Sequence, residues 1–462
     1  MRPSLVLWSL LLAGSLSQCS QYLLPFLYSV SPDRGDRYSL RAALGLAPAL
    51  FSILVGYASG APRGLTQLLA GQLALRRLRS RALVLAGSLA FQALGTLILS
   101  VATEKSHVII SQIVVGLGSG PLYPLGYSIL ANVYDALELG APNGVFSQTA
   151  YFGPALASLC VVFATRSSWR CVCFLLALSL LMAAFGLACL LTFQDETLII
   201  GKEKKSTSSV LLEPPRRRSL MIALLAAGGG ARYAAGYAVP SYLPLFFAET
   251  YPNNSSFSSL NAIAIFAFGS TSALLGGTLA QAYAAKSKHF ASGLFVVPVI
   301  SCLLGGFFAS LTFLSPTFEE AVVFLFFMQF SGEAWLAGTV AAIRVLAQEQ
   351  TEAALGIFYA TATAVGSANL LLLGKTFREG SRQTMLLAVA SPYFLSAIFF
   401  LITALLATQS SHHHHHRRRS GSDDDDDSSC STRKKTTSSQ QHSVTDSTPL
   451  LRGGAPVVIP PA

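Results

Sequence analysis

The sequence predicts an all-α polytopic membrane protein with twelve transmembrane helices, arranged as two pseudo-symmetric halves of six. Three observations indicate this fold class. The 462-residue chain is 52% hydrophobic and only 12% charged, whereas soluble domains carry about 25% charged residues. Its charges cluster between apolar runs of about twenty residues or more, the length that crosses ~30 Å of hydrocarbon. Short sequence matches also relate the first six runs to the last six.

Twelve apolar runs are the candidate spans. In chain order they cover residues 4–29, 44–75, 82–102, 107–133, 144–165, 169–192, 219–247, 257–285, 290–314, 320–346, 351–374 and 384–407. The first run has some features of a signal peptide, but its apolar character continues to Val30, which favours a span. The second run is too long for one straight crossing, and Pro62 and Gly64 predict a break or an appended surface helix.

The basic residues predict the orientation in the membrane. Basic clusters follow the second, sixth and eighth runs, and they share one side if the amino and carboxyl termini are both cytoplasmic. The overlapping glycosylation sequons at residues 253–256 then lie on the opposite side, as glycosylation requires. The net charge of +10 is therefore explained by loop topology and tail composition, and nucleic-acid binding is not expected.

The chain is predicted to have four parts. They are an N-terminal six-helix half at 1–192, a cytoplasmic inter-half loop at 193–218, a C-terminal six-helix half at 219–407 and a disordered cytoplasmic tail at 408–462. The tail is too poor in apolar residues to fold. Gly71–Ala74 matches Gly277–Ala280, and Tyr22–Phe26 matches Tyr242–Phe246. Two such halves around a central pathway are typical of transporters.

The tail carries a candidate sorting motif. Asp446, followed by Leu450 and Leu451, resembles the acidic dileucine signals that clathrin adaptors bind. The predicted topology places the motif in the cytoplasm, where such a signal acts, and favours an endolysosomal or plasma membrane location. The run at residues 412–416 is interpreted as low-complexity sequence. Because the cysteines also lack zinc-ligand spacing with histidines, no metal and no other cofactor is predicted.

Two charges lie deep inside the apolar runs. Arg232 is about 20 Å into the seventh run at 1.5 Å per residue, and Glu333 lies at a similar depth in the tenth run. A charge near the bilayer centre costs at least ~2.5–3.5 kcal/mol, so each needs a partner or water. We predict that Arg232 and Glu333 form a pair for substrate binding or coupling. The alternative is a structural ion pair without a role in transport.

Helical spacing places further polar residues on single helix faces. Gln21 belongs to such a stripe in the first run, Gln112 and Tyr123 share one in the fourth run, and Gln329 extends the face of Glu333. We predict that Gln21, Gln112 and Tyr123 contact the substrate, with interhelical packing as the alternative for each stripe. A cavity with few charges and several aromatic rings suits an amphiphile or a polar organic solute.

Several motifs resemble the major facilitator superfamily, and within it the Spinster-type branch. Residues 71–81 resemble the superfamily's loop motif between spans two and three, and Phe152–Pro154 resembles its Gly-Pro motif in span five. The segments 112–118 and 330–333 lie where Spinster proteins have a glycine run and a Gly-Glu pair. The resemblance covers about residues 1–407 and implies the major facilitator fold. It also implies a cytoplasmic gate motif that contains Gly71, Arg76, Arg77 and Arg81, whose arginines are alternatively topology signals and lipid anchors.

The chain departs from this pattern at charged positions. Leu75 replaces the acidic residue of the loop motif, and Ser20 and Gln21 stand where Spinster relatives place an acid and an arginine. Gln112 replaces an arginine in span four. These neutral residues imply that proton coupling through that pair is absent, or that it has moved to the second half, where Arg232 lies.

The resemblance implies a secondary active or facilitative transporter that works by alternating access. Spinster-like proteins are associated with lysophospholipids and sphingolipid derivatives, so an amphiphilic, lipid-like solute is the leading expectation, with Arg232 on a phosphate. The alternatives are a carrier of the same fold for sugars, amino acids or drug-like organic solutes, and a non-transporting membrane scaffold or sensor. An enzyme is not expected, because no run clusters catalytic side chains or metal ligands.

Overall fold

The computed structural model describes residues 3–73, 78–134, 140–192, 215–252, 254, 256–287, 290–347, 350–376 and 381–420. Within these ranges all regular secondary structure is helical, so the predicted all-α class is confirmed. The described helices up to His413 belong to one unit. Arg76, Arg77 and the sorting motif lie outside the described residues, and so does most of the predicted inter-half loop.

The helices of the first half follow the predicted runs, and each span keeps the number of its run. Their bounds are Pro3–Tyr28 for span one, Pro48–Ile53 and Ser59–Leu73 for span two, Leu78–Ser100 for span three, Lys105–Ser119 and Leu122–Val133 for span four, Gly140–Ser147 and Thr149–Ala164 for span five, and Trp169–Thr192 for span six. A π-helical turn, Leu54–Ala58, joins the two parts of span two.

The second half has the same plan. Its helices are Pro215–Thr250 for span seven, Phe257–Ile263 and Ser270–Lys286 for span eight, Phe290–Leu314 for span nine, Phe318–Gly332 and Trp335–Ala347 for span ten, Thr351–Thr376 for span eleven, and Arg382–Met385 and Ser391–Ser420 for span twelve. π-Helical turns, Ala264–Gly269 and Leu386–Ala390, join the parts of spans eight and twelve.

Nine helices in the described part of the chain are long and apolar enough to cross a membrane, and they correspond to spans three to six and eight to twelve. Spans one, two and seven are also helical over their predicted runs, which is consistent with twelve crossings. Large apolar side chains on the outside of the bundle are 61–72% exposed, namely Trp8, Phe163, Met182, Phe185 and Leu387. Such a surface is typical of contact with lipid rather than water.

The predicted break at Pro62 and Gly64 is wrong. The helix Ser59–Leu73 continues through Pro62 and begins directly after the π-helical turn of span two. A proline ring clashes with the carbonyl four residues before it in a regular α-helix, and the wider π-helical turn lies at that position. A separate short helix, Leu40–Leu44, precedes span two and ends at Gly45 in the left-handed conformation with φ of 55°.

Irregular segments repeat between the halves. The π-helical turns of spans two and eight begin at Leu54 and Ala264, 210 residues apart. Spans four and ten are both interrupted, and their second helices begin at Leu122 and Trp335, 213 residues apart. The two halves therefore share these two departures from regular helix as well as their span order, whereas the interruption of span five and the π-helical turn of span twelve do not recur in spans eleven and six. The residue bounds given above for the halves, loop and tail stay a prediction.

The halves pack closely along spans two and eleven. A Cβ atom added at Gly356 would lie 3.1 Å from the Cα of Gly71, and one at Gly56 would lie 3.0 Å from the carbonyl oxygen of Ser367. At such distances only glycine allows the two backbones to approach. Gly71, predicted as a gate residue, thus lies at the contact between the halves.

Candidate functional site

Arg232 and Glu333 form the predicted ion pair. Arg232 Nη2 lies 2.5 Å from Glu333 Oε1, and the arginine is only 1% exposed. The same nitrogen donates to the carbonyl of Gly332 at 3.1 Å. The guanidinium also lies over the rings of Tyr393 and Trp335, at 4.1 and 5.6 Å from their centroids. The charge of Arg232 is therefore balanced, and its faces are covered by aromatic rings.

The pair is built on an interruption of span ten. One helix ends at Gly332 and the next begins at Trp335, which frees backbone carbonyls that a continuous helix would bond. The Gly332 carbonyl accepts from Arg232. The hydroxyl of Tyr151 lies 3.2 Å from the carbonyl oxygen of Glu333 and 3.1 Å from its Oε2, and can donate to either. The apolar pattern predicts an unbroken span here, so the interruption is a finding of the structure.

A cavity of about 100 Å³ lies against this pair. Spans one and five of the first half and spans seven, eight and ten of the second half contribute to its wall. Besides the ion pair, the wall is largely aromatic and apolar, with Tyr22, Tyr151, Tyr233, Gln329, Trp335 and Leu336 among its residues. The cavity thus lies between the halves, and of the predicted site residues Arg232 and Glu333 line it.

A second buried arginine, Arg63, lies in span two. With the Gln21 amide oriented so that its oxygen faces Arg63, that oxygen accepts from Nη1 and Nη2 at 2.5 and 3.1 Å. Arg63 Nε donates to Ser119 Oγ at 3.1 Å, and Nη1 donates to the hydroxyl of Tyr237 at 2.9 Å. Gln21 therefore binds a charged side chain of the protein, beside the cavity residue Tyr22.

Arg63 was not predicted as a site residue. It lies between Pro62 and Gly64, the residues at which the sequence predicts a break in the second run. The signal that identifies it is the one that identifies Arg232, an ionisable side chain far from either end of an apolar run.

Hydrogen bonds continue from Arg63 across the two halves. Tyr237 Oη and Thr363 Oγ1 are 3.2 Å apart, and Thr363 Oγ1 donates to Gln67 Oε1 at 2.8 Å. Because Tyr237 accepts from Arg63, its own proton is free for Thr363. This series of hydrogen bonds runs from Arg63 of span two to Tyr237 of span seven, then to Thr363 of span eleven, and ends at Gln67 of span two. We call it the inter-half network.

Tyr123 and Gln112 lie away from the cavity. Tyr123 stacks on Tyr359 of span eleven with ring centroids 5.3 Å apart, so it belongs to an aromatic contact between the halves. Tyr127, one turn further, adds a second contact to Tyr359 at 6.4 Å. Gln112 is buried in span four. The structure therefore brings together Arg232 and Glu333 but not Gln112 or Tyr123, and their predicted substrate contacts stay a prediction.

A second aromatic contact joins the halves. The rings of Tyr28 and Phe51 stack at 4.0 Å, and Phe51 meets Tyr242 of span seven edge-on at 5.8 Å. Tyr242 lies near the end of span seven, whereas Tyr359 of the first contact lies near the start of span eleven.

Of the predicted gate arginines, the structure describes Arg81. Its Nη1 donates to Ser128 Oγ of span four at 2.8 Å, which ties spans three and four together. Over the described ranges no group of three or more His, Cys, Asp or Glu side chains is arranged to hold a metal ion.

The sequence model of the Major Facilitator Superfamily matches residues 10–369, while no curated protein matches the chain by sequence. Two solved structures share its fold, both of a bacterial homologue of the human lysosomal transporter Spinster, inward-facing and either unoccupied or occupied. Each aligns with a TM-score of 0.60 at 14% identity. The first covers 89% of this chain and 97% of its own, and the second covers 88% and 97%. The predicted Spinster-type resemblance is confirmed for the fold.

Proposed function

Because the chain belongs to the Major Facilitator Superfamily and is a multi-pass membrane transporter, we propose that it carries an amphiphilic, lipid-like solute by alternating access. The observation that carries the proposal is the position of two unlike cavities on either side of spans five and eight. One is the cavity at the ion pair. The other, with a volume of about 640 Å³, opens to the lipid-facing outside of the bundle. It is lined mainly by apolar side chains of spans one, five and eight, among them the exposed Trp8, Leu12 and Phe266.

The two cavities share the same helices. On span five, Tyr151 and Pro154 line the cavity at the ion pair, while Phe152 and Leu156 line the apolar cavity. On span eight the neighbours Ile265 and Phe266 divide in the same way. An amphiphile needs an apolar site for its chain next to a site with polar groups for its head. This arrangement supports a lysophospholipid or sphingolipid derivative, the substrate class that the Spinster-type resemblance implies.

Alternating access requires the two ends of the pathway to open in turn. We assign the contacts Tyr123–Tyr359 and Phe51–Tyr242 to the two ends of the pathway, because Tyr359 lies near the start of span eleven and Tyr242 near the end of span seven. Both are made by side chains from opposite halves, so a rocking motion of the halves separates one while the other is kept.

We assign coupling, rather than head-group binding, to Arg232 and Glu333. Arg232 is already neutralised by Glu333 and bonded to the Gly332 carbonyl. Protonation of Glu333 would remove the charge that holds Arg232, so a proton and a conformational change are linked at this pair. Facilitated diffusion without a proton is the alternative, in which the pair only stabilises the interruption of span ten.

Uptake into proteoliposomes tests the proposed function. Purified protein is reconstituted, and saturable uptake of a labelled lysophospholipid, a sphingoid base phosphate, glucose and an amino acid mixture is compared with protein-free vesicles. We expect saturable uptake of one of the two lipids, inhibited by the other and not by glucose or amino acids.

Two other results would each support a rival function. Saturable uptake of glucose or amino acids with none of either lipid supports a polar-solute carrier of the same fold. No flux, together with no shift of the unfolding temperature on addition of any of these solutes, supports the scaffold or sensor.

The proposed location is an endolysosomal or plasma membrane, with both termini in the cytoplasm. The motif at Asp446, Leu450 and Leu451 would then be accessible to clathrin adaptors. Exchange of both leucines for alanine is expected to move a tagged chain toward the cell surface. An unchanged distribution would remove the motif from the proposal.

A further inference from the structure

Arg63 is a buried positive charge for which the described residues provide no negative partner. It is 4% exposed and lies ten residues before the end of its helix at Leu73, which is ~15 Å along the helix axis. Its hydrogen-bond acceptors are the neutral groups of Gln21, Ser119 and Tyr237. In the part of the chain that the structure describes, no carboxylate lies within ion-pair distance of its guanidinium.

The contrast with Arg232 is informative. Arg232 has a carboxylate partner, whereas neutral dipoles only partly replace the water that Arg63 has lost. An unpaired charge inside a membrane protein is expensive, so it favours any anion that reaches it. Arg63 lies behind the wall of the cavity at the ion pair. Its partners Gln21 and Tyr237 adjoin the lining residues Tyr22 and Gly236 in sequence, so an anion reaches the guanidinium when these two side chains move aside.

We propose that Arg63 is the anion-binding subsite of this carrier and that the transported solute carries a phosphate, sulfate or carboxylate group. A guanidinium binds such groups through two parallel charge-assisted hydrogen bonds. The incoming anion replaces the Gln21 oxygen and the Tyr237 hydroxyl on Nη1 and Nη2, while Ser119 keeps Nε. This inference rests on the proposed transport function and adds that the solute carries a negatively charged group, which Arg63 binds.

Binding at this subsite also loosens the contact between the halves. Tyr237 belongs to span seven and Arg63 to span two, so their hydrogen bond joins the second half to the first. An anion on Nη1 and the Tyr237 hydroxyl compete for the same donor. Occupancy therefore breaks one link of the inter-half network, which gives the solute a direct means to favour opening.

The test uses short anions whose binding does not depend on a lipid tail. The dissociation constants of hexyl phosphate, hexyl sulfate, hexanoate and hexanol are measured by calorimetry on the full chain in neutral detergent. We expect at least one anion to bind about tenfold or more tightly than hexanol, and Arg63→Gln to remove that difference, as loss of a charge-assisted hydrogen bond predicts. Arg170→Gln is the matched control, since Arg170 is partly buried on Trp169 and donates to the Ala102 carbonyl.

Two further variants keep the test decisive if Arg63→Gln fails to fold. Arg63→Lys keeps the charge but not the paired donors, so it should bind the anion with intermediate affinity. Tyr237→Phe removes the competitor and should tighten binding. Equal affinity of the unmodified chain for hexanol and all three anions, or unchanged anion binding in the Arg63 variants, would overturn the proposal. Weaker binding in Tyr237→Phe would overturn the competition between anion and hydroxyl.

Failure of the proposed function is distinguishable from failure of this inference. Anion binding that needs Arg63, combined with no lipid uptake, leaves the subsite and removes the lipid class. Lipid uptake that is the same for Arg63→Gln and the unmodified chain leaves the transporter and removes the subsite.

Discussion

The two buried arginines show how the same residue type serves different purposes in one bundle. Arg232 has a carboxylate, a carbonyl and two aromatic rings around it. Among the described residues, Arg63 has neutral hydrogen-bond acceptors and the ring of Tyr237, at 5.5 Å from its centroid, but no carboxylate. The depth of Arg232 and Glu333 in their runs made the pair predictable, because a buried charge requires a partner. The surroundings of Arg63 were not predictable, because they depend on how spans one, two, four and seven pack.

At the residue scale, we expect Glu333→Gln to abolish the response of uptake to a pH gradient. Glutamine still accepts a hydrogen bond from Arg232 but takes up no proton, so the structure of the site is largely kept. Uptake into proteoliposomes is measured with and without an imposed gradient. Glu319→Gln, an exposed acid at the start of the same span, is the control and should keep the response.

Gradient-dependent uptake that is unchanged in Glu333→Gln would exclude this residue from coupling. Glu333→Ala provides the corresponding stability measurement, since it leaves Arg232 buried and unpaired. Removal of one partner of a buried pair costs about 3–5 kcal/mol, so the unfolding temperature should fall much further than in Glu333→Gln.

At the scale of helices, the sequence predicts where the spans begin and end, because hydropathy determines these positions. Nine spans begin and end within a few residues of the predicted runs, because crossing the hydrocarbon fixes their length and composition. The π-helical turns of spans two and eight and the interruption at Glu333 were not predicted. They are set by close contacts with neighbouring helices, and such contacts leave no trace in the apolar pattern of a single run.

Spans two and eleven give a prediction at this scale. Gly356→Leu places side-chain atoms against the backbone of Gly71 and of Gln67, whose carbonyl oxygen is 3.3 Å from the Cβ position. Overpacking of this kind costs about 1–3 kcal/mol, so thermal unfolding in detergent should occur at a lower temperature and uptake should fall. A control is Gly186→Leu in span six, where the added Cβ has no neighbour within 4 Å. Equal stability and activity of the two variants would contradict the close packing of spans two and eleven.

For the whole molecule, the order of the spans and the division into two halves followed from the sequence, but the state of the pathway did not. Aromatic contacts join the halves at Tyr123–Tyr359 and Phe51–Tyr242, and a cavity of about 100 Å³ lies between the halves. The head and the chain of a lipid-like solute need both this cavity and the apolar cavity of spans one, five and eight, so the two cavities must be joined when the solute binds. This change depends on the relative position of the halves, which the apolar pattern of a single run does not predict.

Cross-linking of the halves tests alternating access. Cysteines replace either Tyr123 and Tyr359 or Phe51 and Tyr242, and a short bis-methanethiosulfonate reagent joins each pair through disulfides that a reductant cleaves. Either link alone should stop uptake, because each end has to open once per cycle, and cleavage of the link should restore it. The unmodified chain treated in the same way controls for its own cysteines. Full uptake with either end linked would contradict a rocking carrier and favour a fixed pore.

The recurrence of irregular turns about 210 residues apart has a consequence for the origin of the chain. Six crossings return the polypeptide to the side of the membrane on which it began. A gene that encoded one such half would thus yield, on tandem duplication, a second copy inserted in the same orientation, with no need to redistribute charged loops. The irregular turns common to both halves fit that origin, whereas Arg63 and Arg232 have no arginine about 210 residues away and mark positions where the halves differ.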